Sequence, residues 1–243
     1  MSNAPWVRIA NAVRQSVVLI ETPSGRGTGF VVPPLPGSNH QTIITAHHVV
    51  DHALAWREPI KVTHFPTKKQ AFLDVNSRII TPNQGRDQVI IQFSADELSL
   101  PANTIEMLPA NVRVNDGVES GWLGYPAVAP NNLCFFAGCI STWLEKDEAY
   151  LVDGVAINGV SGGPAFYEDE NGKIVIIGIV TEYRPNIATG KLLPGVSLIR
   201  SISPLMAFYA HLKKTVKSAP VEDAKVQDIP EGKITEAHPT SLS

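Results

Sequence analysis

Short apolar segments separated by proline and glycine restrict this chain to a fold made of many strands. Its 243 residues include 19 prolines and 18 glycines, which recur between apolar runs along most of the chain. These two residues interrupt helices, whereas strands joined by turns accommodate them at their ends. The sequence therefore predicts an all-β fold.

Strand-like segments form two groups of six. The first group is Val17–Glu21, Thr28–Val32, Thr42–Thr45, Ile60–Thr63, Ala71–Ile80 and Val89–Phe93. The second group is Glu119–Leu123, Leu133–Thr142, Ala149–Val152, Pro164–Tyr167, Ile174–Glu182 and Gly195–Ile199. The stretch from Ser99 to Pro109 is predicted to cross between the two groups.

The loop 158–164, with the sequence NGVSGGP, carries the strongest functional signal. Glycines on both sides of Ser161 allow a tight turn that exposes its hydroxyl. The same turn leaves the backbone N–H groups of Gly159 and Ser161 able to point at one spot, as an oxyanion hole requires. A Gly-Ser turn alone is common in β proteins and requires no catalytic role. The catalytic interpretation of this loop therefore depends on the upstream segments.

A histidine and an aspartate upstream supply the groups that a serine nucleophile needs. His48 follows the apolar segment Thr42–Ala46, and Asp87 directly precedes the apolar run from Val89 to Phe93. A neutral serine is a weak nucleophile and needs a base near neutral pH, for which imidazole is suited. A carboxylate can then fix the imidazole tautomer and stabilise its charged form.

Other residues compete for these roles. His47 is adjacent to His48 and is interpreted as an ordinary, partly exposed side chain, while Asp51, Asp74 and Asp116 compete with Asp87. His48 and His52 have the spacing of zinc ligands on a helix, but valine follows His48 where the zinc protease motif has glutamate. No metal or organic cofactor is expected.

The three segments, in this order, resemble the trypsin-like serine proteases of the chymotrypsin fold. Four further stretches add to the resemblance. Gly121–Pro126 and Gly25–Val32 look like the turn that opens the second barrel and the first hairpin of the bacterial high-temperature-requirement type, and Gly178–Thr181 and Pro194–Val196 are similar to the two strands that wall the specificity pocket. The resemblance covers roughly residues 15 to 210 and implies two six-stranded antiparallel β-barrels followed by a C-terminal helix. It also implies a catalytic triad of Ser161, His48 and Asp87.

The resemblance further implies a specificity pocket. It places Val155 at the pocket floor, Thr181, Glu182 and Tyr183 along one wall, and Gly195 on the other. Valine cannot bind a basic side chain, so we expect cleavage after small or aliphatic residues. Glu182 leaves open a preference for basic residues.

Residue 160 bears on activation. Secreted digestive members carry an aspartate directly before the nucleophile, where it holds a new N-terminal amine. Val160 stands at this position here, so activation through that salt bridge is not expected.

The expected organisation has five parts. Residues 1–15 are predicted to form a lead-in helix and residues 16–100 the first barrel. Residues 108–200 are predicted to form the second barrel, residues 201–216 a helix, and residues 217–243 a disordered tail too short for a PDZ domain.

The remaining features concern compartment and partners. Cys134 and Cys139 lie about 16 Å apart on one predicted strand, too far for a disulfide, which indicates a reducing, cytoplasmic setting. The net charge of −3 and the lack of a basic stripe give no reason to expect nucleic acid. No membrane span or signal peptide is expected.

The expected partner is a protein or peptide substrate, with a regulatory protein possible. The alternative is a catalytically latent or inactive trypsin-like module that binds peptides or partner proteins.

Overall fold

The computed structural model describes residues 5–34, 38–100, 105–188 and 191–207, and for residues 183, 185–188 and 191–195 it describes the backbone only. Residues 208–216 of the predicted C-terminal helix and the predicted tail at 217–243 lie outside this range. Residues 203–207 are helical.

Seven antiparallel strands form the first sheet. Along the sheet their order is β5-β4-β1-β2-β3-β7-β6. The strands are β1 (Val17–Thr22), β2 (Gly25–Val32), β3 (His40–Ala46), β4 (Ile60–His64), β5 (Lys69–Leu73), β6 (Arg78–Asn83) and β7 (Gln88–Ser94).

The second sheet closes on itself. Six strands follow the order β12-β9-β10-β11-β14-β13, and β12 also pairs with β13, while β8 adds in parallel to β13. The strands are β8 (Glu106–Met107), β9 (Glu119–Gly124), β10 (Cys134–Leu144), β11 (Ala149–Asp153), β12 (Pro164–Glu168), β13 (Ile174–Ala188) and β14 (Lys191–Ser201). The predicted all-β architecture of two antiparallel barrel-like units is confirmed, with the second unit closed and the first a curled sheet.

The prediction of a single strand over Ala71–Ile80 is wrong. The chain forms β5 and β6 instead, separated by a turn in which the Asp74 carboxylate accepts hydrogen bonds from the N–H groups of Asn76 (2.7 Å) and Ser77 (3.0 Å). Aspartate favours such turns because its short side chain can replace a backbone acceptor. This turn gives the first sheet its seventh strand.

Helical segments are short, and the first of them packs on the second sheet. Helix α1 (Pro5–Arg14) buries Ile9, Ala10 and Val13 on one face, and α2 (Asp51–Ala55) follows a single 3-10 turn at His47–Val49. Trp6 lies 5.4 Å from the Phe135 ring and 6.3 Å from the Phe166 ring, measured between centroids.

The buried core runs through both sheets without a break. Its largest fully buried side chains include Trp122, Tyr125 and Tyr150 in the second unit and Phe30 and Phe93 in the first. The two units also share polar contacts. Gln88 Nε2 donates to Ser201 O at 2.8 Å, and the Thr28 N–H donates to Ser161 O at 2.8 Å. The candidate functional site lies at this junction.

Both cysteines are free thiols, as the sequence predicts: Cys134, at the start of β10, is half-buried, and Cys139, at its middle, is exposed. No described helix has the length and apolar character needed to span a membrane.

Candidate functional site

Two paired strands bring His48 and Asp87 together. β3 ends at Ala46, which pairs with Gln88 at the start of β7, so the residues just beyond these two ends lie side by side. His48 Nδ1 lies 2.7 Å from Asp87 Oδ2, and the His48 backbone N–H donates to Asp87 Oδ1 at 2.9 Å. The Asp87 backbone carbonyl accepts a third hydrogen bond, from the His47 N–H. These contacts fix both the ring and the carboxylate that orients it.

The Asp87 carboxylate raises the pKa of His48 above its ordinary value of 6.5. Its hydrogen bond to the ring is the largest cause, and burial of the ring works against it. The charges of Asp87, Asp51 and Glu182 raise the pKa further. A ring whose Nδ1 faces a carboxylate keeps its proton there and has Nε2 available as a base.

The backbone of the 158–164 loop leaves two N–H groups unused. Asn158 O accepts from the Ala127 N–H at 2.7 Å, and Val160 O accepts from the Gly163 N–H at 2.9 Å. In a trans peptide the N–H points away from the preceding carbonyl, so the N–H groups of Gly159 and Ser161 point away from these partners. Within the described part of the chain neither group donates a hydrogen bond. Both are available to an incoming oxygen.

Glycine is required at two positions of this loop. Gly159 has a φ of +92°, and a Cβ there would lie 2.4 Å from Tyr125 O. Gly162 has a φ of +85°, and a Cβ there would lie 2.0 Å from Thr28 O. Positive φ disfavours any side chain, and such distances leave no room for one. The loop can therefore pack directly on β2 and on the chain after β9.

Thr28 is a residue of this site that sequence reasoning missed. Its hydroxyl donates to Gly159 O at 2.8 Å and accepts from the Tyr125 N–H at 2.9 Å, while its own N–H donates to Ser161 O. Thr28 is fully buried, and its carbonyl accepts from Thr45 Oγ1 at 2.6 Å. A single side chain of the first unit thus holds the loop of the second. The only signal in the sequence is a threonine between two glycines of β2, which does not identify a partner more than 130 residues away.

One cleft of about 200 Å³ brings together four of the predicted site residues, namely His48, Ser161, Thr181 and Glu182. Among the described residues it is lined by His48, Ala156, Ile157, Asn158, Ser161, Val180, Thr181 and Glu182. The Ser161 hydroxyl makes no hydrogen bond to the His48 ring in the part of the chain that the structure describes. This contact is often long in substrate-free enzymes and shortens when substrate binds.

Two of the five predicted pocket residues line the cleft. Thr181 is buried and, with the exposed Glu182, lines the cleft, whereas Val155 is 46% exposed and is not among the lining residues. The buried Ala156 occupies the cleft wall next to it. Tyr183 and Gly195 lie on β13 and β14, where only the backbone is described, so the roles predicted for them lie outside the described side chains.

His47 and His52 lie apart from the cleft. They line a separate groove with Trp56, and His52 Nδ1 lies 2.9 Å from Glu58 Oε2. Within the described ranges no group of three His, Cys, Asp or Glu side chains is arranged to hold a metal ion.

We expect Asp87→Asn to lower the pKa of His48, because the substitution removes the Asp87 charge and leaves at most a weaker, neutral hydrogen bond to the ring. The His48 ring would then take up its second proton only at lower pH. An NMR titration of the ring protons measures this shift. Asp51→Asn is the matched control, because Asp51 raises the His48 pKa by charge alone and its loss should lower that pKa less. Equal shifts in the two variants would contradict the assignment.

Comparison with known proteins gives a family match and a fold match. Residues 27–179, more than half of the chain, match the family model described as "Trypsin-like peptidase domain". No curated protein matches the sequence.

Three solved structures are similar in fold. Deg5 has a TM-score of 0.61 at 20% identity over 84% of this chain and 91% of its own. Rv3671c from M. tuberculosis H37Rv, in an inactive mutant form, has a TM-score of 0.58 at 20% identity over 91% and 98%. The serine endoprotease from Yersinia pestis has a TM-score of 0.63 at 17% identity over 88% and 68%. The family resemblance and the chymotrypsin-like fold predicted from the sequence are confirmed.

Proposed function

Because the chain belongs to the trypsin-like peptidase domain family, we propose that it is a serine endopeptidase with Ser161 as nucleophile, His48 as base and Asp87 as orienting carboxylate. The observation that carries this proposal is the His48–Asp87 pair, at 2.7 Å, in a cleft that His48 shares with Ser161. The reaction is hydrolysis of a peptide bond.

The proposed mechanism has two halves. His48 Nε2 takes the proton of the Ser161 hydroxyl as the oxygen attacks the substrate carbonyl, and it then gives that proton to the leaving amine. Water, activated by the same ring, next hydrolyses the acyl-enzyme and releases Ser161. The ring must be neutral to act as a base, so activity falls as the pH drops below its raised pKa.

Stabilisation of the oxyanion is assigned to the N–H groups of Gly159 and Ser161. Charge develops on the carbonyl oxygen in the transition state, and donors already in place stabilise it without rearrangement. Two observations support this role: neither N–H group donates a hydrogen bond among the described residues, and the carbonyls of Asn158 and Val160 are held by the N–H groups of Ala127 and Gly163.

We expect a fluorophosphonate probe to label the native protein and to leave Ser161→Ala unlabelled, because the probe reacts only with an activated serine. Hydrolysis of a protein substrate should fall in Ser161→Ala by roughly three orders of magnitude or more. Ser24→Ala, at an exposed turn, is the matched control and should be labelled like the native protein. A native protein that resists the probe would favour an inactive module that binds peptides.

We expect Thr28→Val to lower kcat roughly 100-fold with little change in KM, the size of effect seen when an oxyanion donor is lost. The hydroxyl that holds Gly159 O and Tyr125 N–H would be missing, so the Gly159 N–H would lose its fixed direction. Thr28→Ser retains the hydroxyl and should keep most of the activity. Steady-state kinetics, with thermal unfolding to show that both variants fold, test this role. Similar losses in both variants would show that the threonine methyl, rather than the hydroxyl, matters.

For specificity we propose cleavage after small or aliphatic residues. The cleft is small, and Ala156, Val180 and Thr181 supply compact walls. Glu182 is the one acidic side chain among the described lining residues, and it already lies 3.4 Å from Arg184 Nε.

A peptide library should therefore show alanine, valine or similar residues before the cleaved bond, and Glu182→Gln should change this preference little. A profile dominated by lysine and arginine that Glu182→Gln abolishes would show instead that Glu182 selects basic residues. Mass spectrometry of the cleavage products gives both profiles.

Two further features concern how the site becomes active and the compartment in which the protein works. Val160 is fully buried beside Gly124, so residue 160 offers no carboxylate to an N-terminal amine, and we propose that the site is competent without that salt bridge. The two free cysteines support a reducing, cytoplasmic compartment. Substrates are proteins or peptides, and a regulatory protein partner is compatible with this setting.

A further inference from the structure

A second cleft lies near the 158–164 loop and has no part in the proposed reaction. It has a volume of about 540 Å³ and lies between the end of α1, the turn Phe65–Thr67 and the loop from Tyr125 to Leu133. This volume is in the range of pockets that hold small ligands. We refer to it as the Tyr125 cleft.

Two polar groups of the Tyr125 cleft lack partners. Tyr125 is fully buried, and its hydroxyl has no hydrogen-bond partner among the described residues. Arg14, half-buried at the end of α1, forms no ion pair or hydrogen bond within the described ranges. Buried polar groups are nearly always hydrogen-bonded, so the unpartnered Tyr125 hydroxyl calls for an explanation.

The two groups line the same cleft. Burial raises the pKa of the Tyr125 hydroxyl, and the charge of Arg14 acts in the opposite direction. The hydroxyl therefore keeps its proton at neutral pH and can donate it to an acceptor. Arg14 offers several N–H donors and cannot accept, so both groups can serve the same anionic acceptor.

The rest of the cleft is apolar or neutral. Phe65 lies 5.3 Å from the Tyr125 ring between centroids, and Pro66 and Leu133 line the same space. Asn131 and Asn132 contribute amides at the exposed side. Among the described lining residues Arg14 is the only charged one, so no carboxylate of the protein neutralises it there.

From this arrangement we propose that the Tyr125 cleft binds the carboxylate of a molecule with an apolar body. The guanidinium fork of Arg14 matches a carboxylate in two parallel hydrogen bonds, and the Tyr125 hydroxyl supplies a third donor. Phe65, Pro66 and Leu133 pack against the apolar part of the ligand. A free carboxylic acid and the C-terminal residue of a peptide share this chemistry.

A ligand in the Tyr125 cleft would affect the 158–164 loop through backbone contacts around Tyr125. The Tyr125 N–H donates to Thr28 Oγ1, which in turn holds Gly159 O. A Cβ on Gly159 would lie 2.4 Å from Tyr125 O, and the Ala127 N–H donates to Asn158 O at 2.7 Å. A ligand that orders Tyr125 therefore orders the loop that carries Gly159. This effect on activity rests on the proposed function, whereas binding itself does not.

Binding is tested by isothermal titration calorimetry on the full chain carrying Ser161→Ala, so that no peptide is cleaved and the result is independent of catalysis. The probes are N-acetyl-leucine, its amide, and an acetylated tetrapeptide ending in leucine with a free or amidated C-terminus. We expect the free carboxylates to bind and the amides to bind about tenfold more weakly or not at all, since a charged hydrogen bond is lost.

Two substitutions locate the ligand. Arg14→Met and Tyr125→Phe should each weaken binding of the free carboxylate about tenfold, and Arg57→Met, at an exposed arginine that does not line the cleft, should leave it unchanged. Tyr125→Phe keeps the ring packing and removes only the hydroxyl. Circular dichroism confirms that each variant is folded.

The outcomes separate cleanly. Equal binding of N-acetyl-leucine and the peptide identifies a free carboxylate as sufficient, and binding of the peptide alone identifies a chain end; both support the site. Equal affinity for acids and amides would overturn the carboxylate assignment. Absence of binding by every probe, or binding that ignores both cleft substitutions, would overturn the proposal. A protein that binds the probes but fails to react with fluorophosphonate would keep this site and refute the endopeptidase.

Discussion

The packing of Thr28 on the 158–164 loop is the contact on which the candidate site depends. At this point the backbone of the first sheet meets the loop of the second so closely that only glycine fits at residue 162. The Thr28 N–H, hydroxyl and carbonyl are all engaged, with Ser161 O, Gly159 O and Thr45 Oγ1 respectively. A buried polar network that is fully satisfied specifies one arrangement of its parts, because each alternative leaves a group without a partner.

This junction divides the chemistry between the two sheets. His48 and Asp87 come from the first sheet, at the ends of β3 and β7, whereas Ser161 comes from the second. Neither sheet alone contains a nucleophile together with its base. The precision of the site therefore comes from how the two sheets dock, and Gln88 and Thr28 carry polar contacts across that boundary.

The sequence predicts the strands and the triad candidates because their signals are local. An apolar run followed by His48, and Asp87 before another apolar run, can be read within a few residues. The split of Ala71–Ile80 depends on Asp74 capping its own turn, a local competition that hydrophobicity alone does not reveal. Val155 and Ala156 differ by one position along the chain, and only the folded backbone decides which of the two faces the cleft. Thr28 and the Tyr125 cleft depend on contacts between distant segments, which no local pattern encodes.

The position of α1 has a consequence for the order of assembly. This helix precedes the first sheet in the chain, yet Trp6 packs against Phe135 and Phe166 of the second. During synthesis the helix therefore leaves the ribosome long before the surface that it covers exists. Contacts between residues so far apart in sequence close large loops and form slowly. Helix α1 is thus held in place only after β10 and β12 have formed, and until then its apolar face stays open to water and to other proteins.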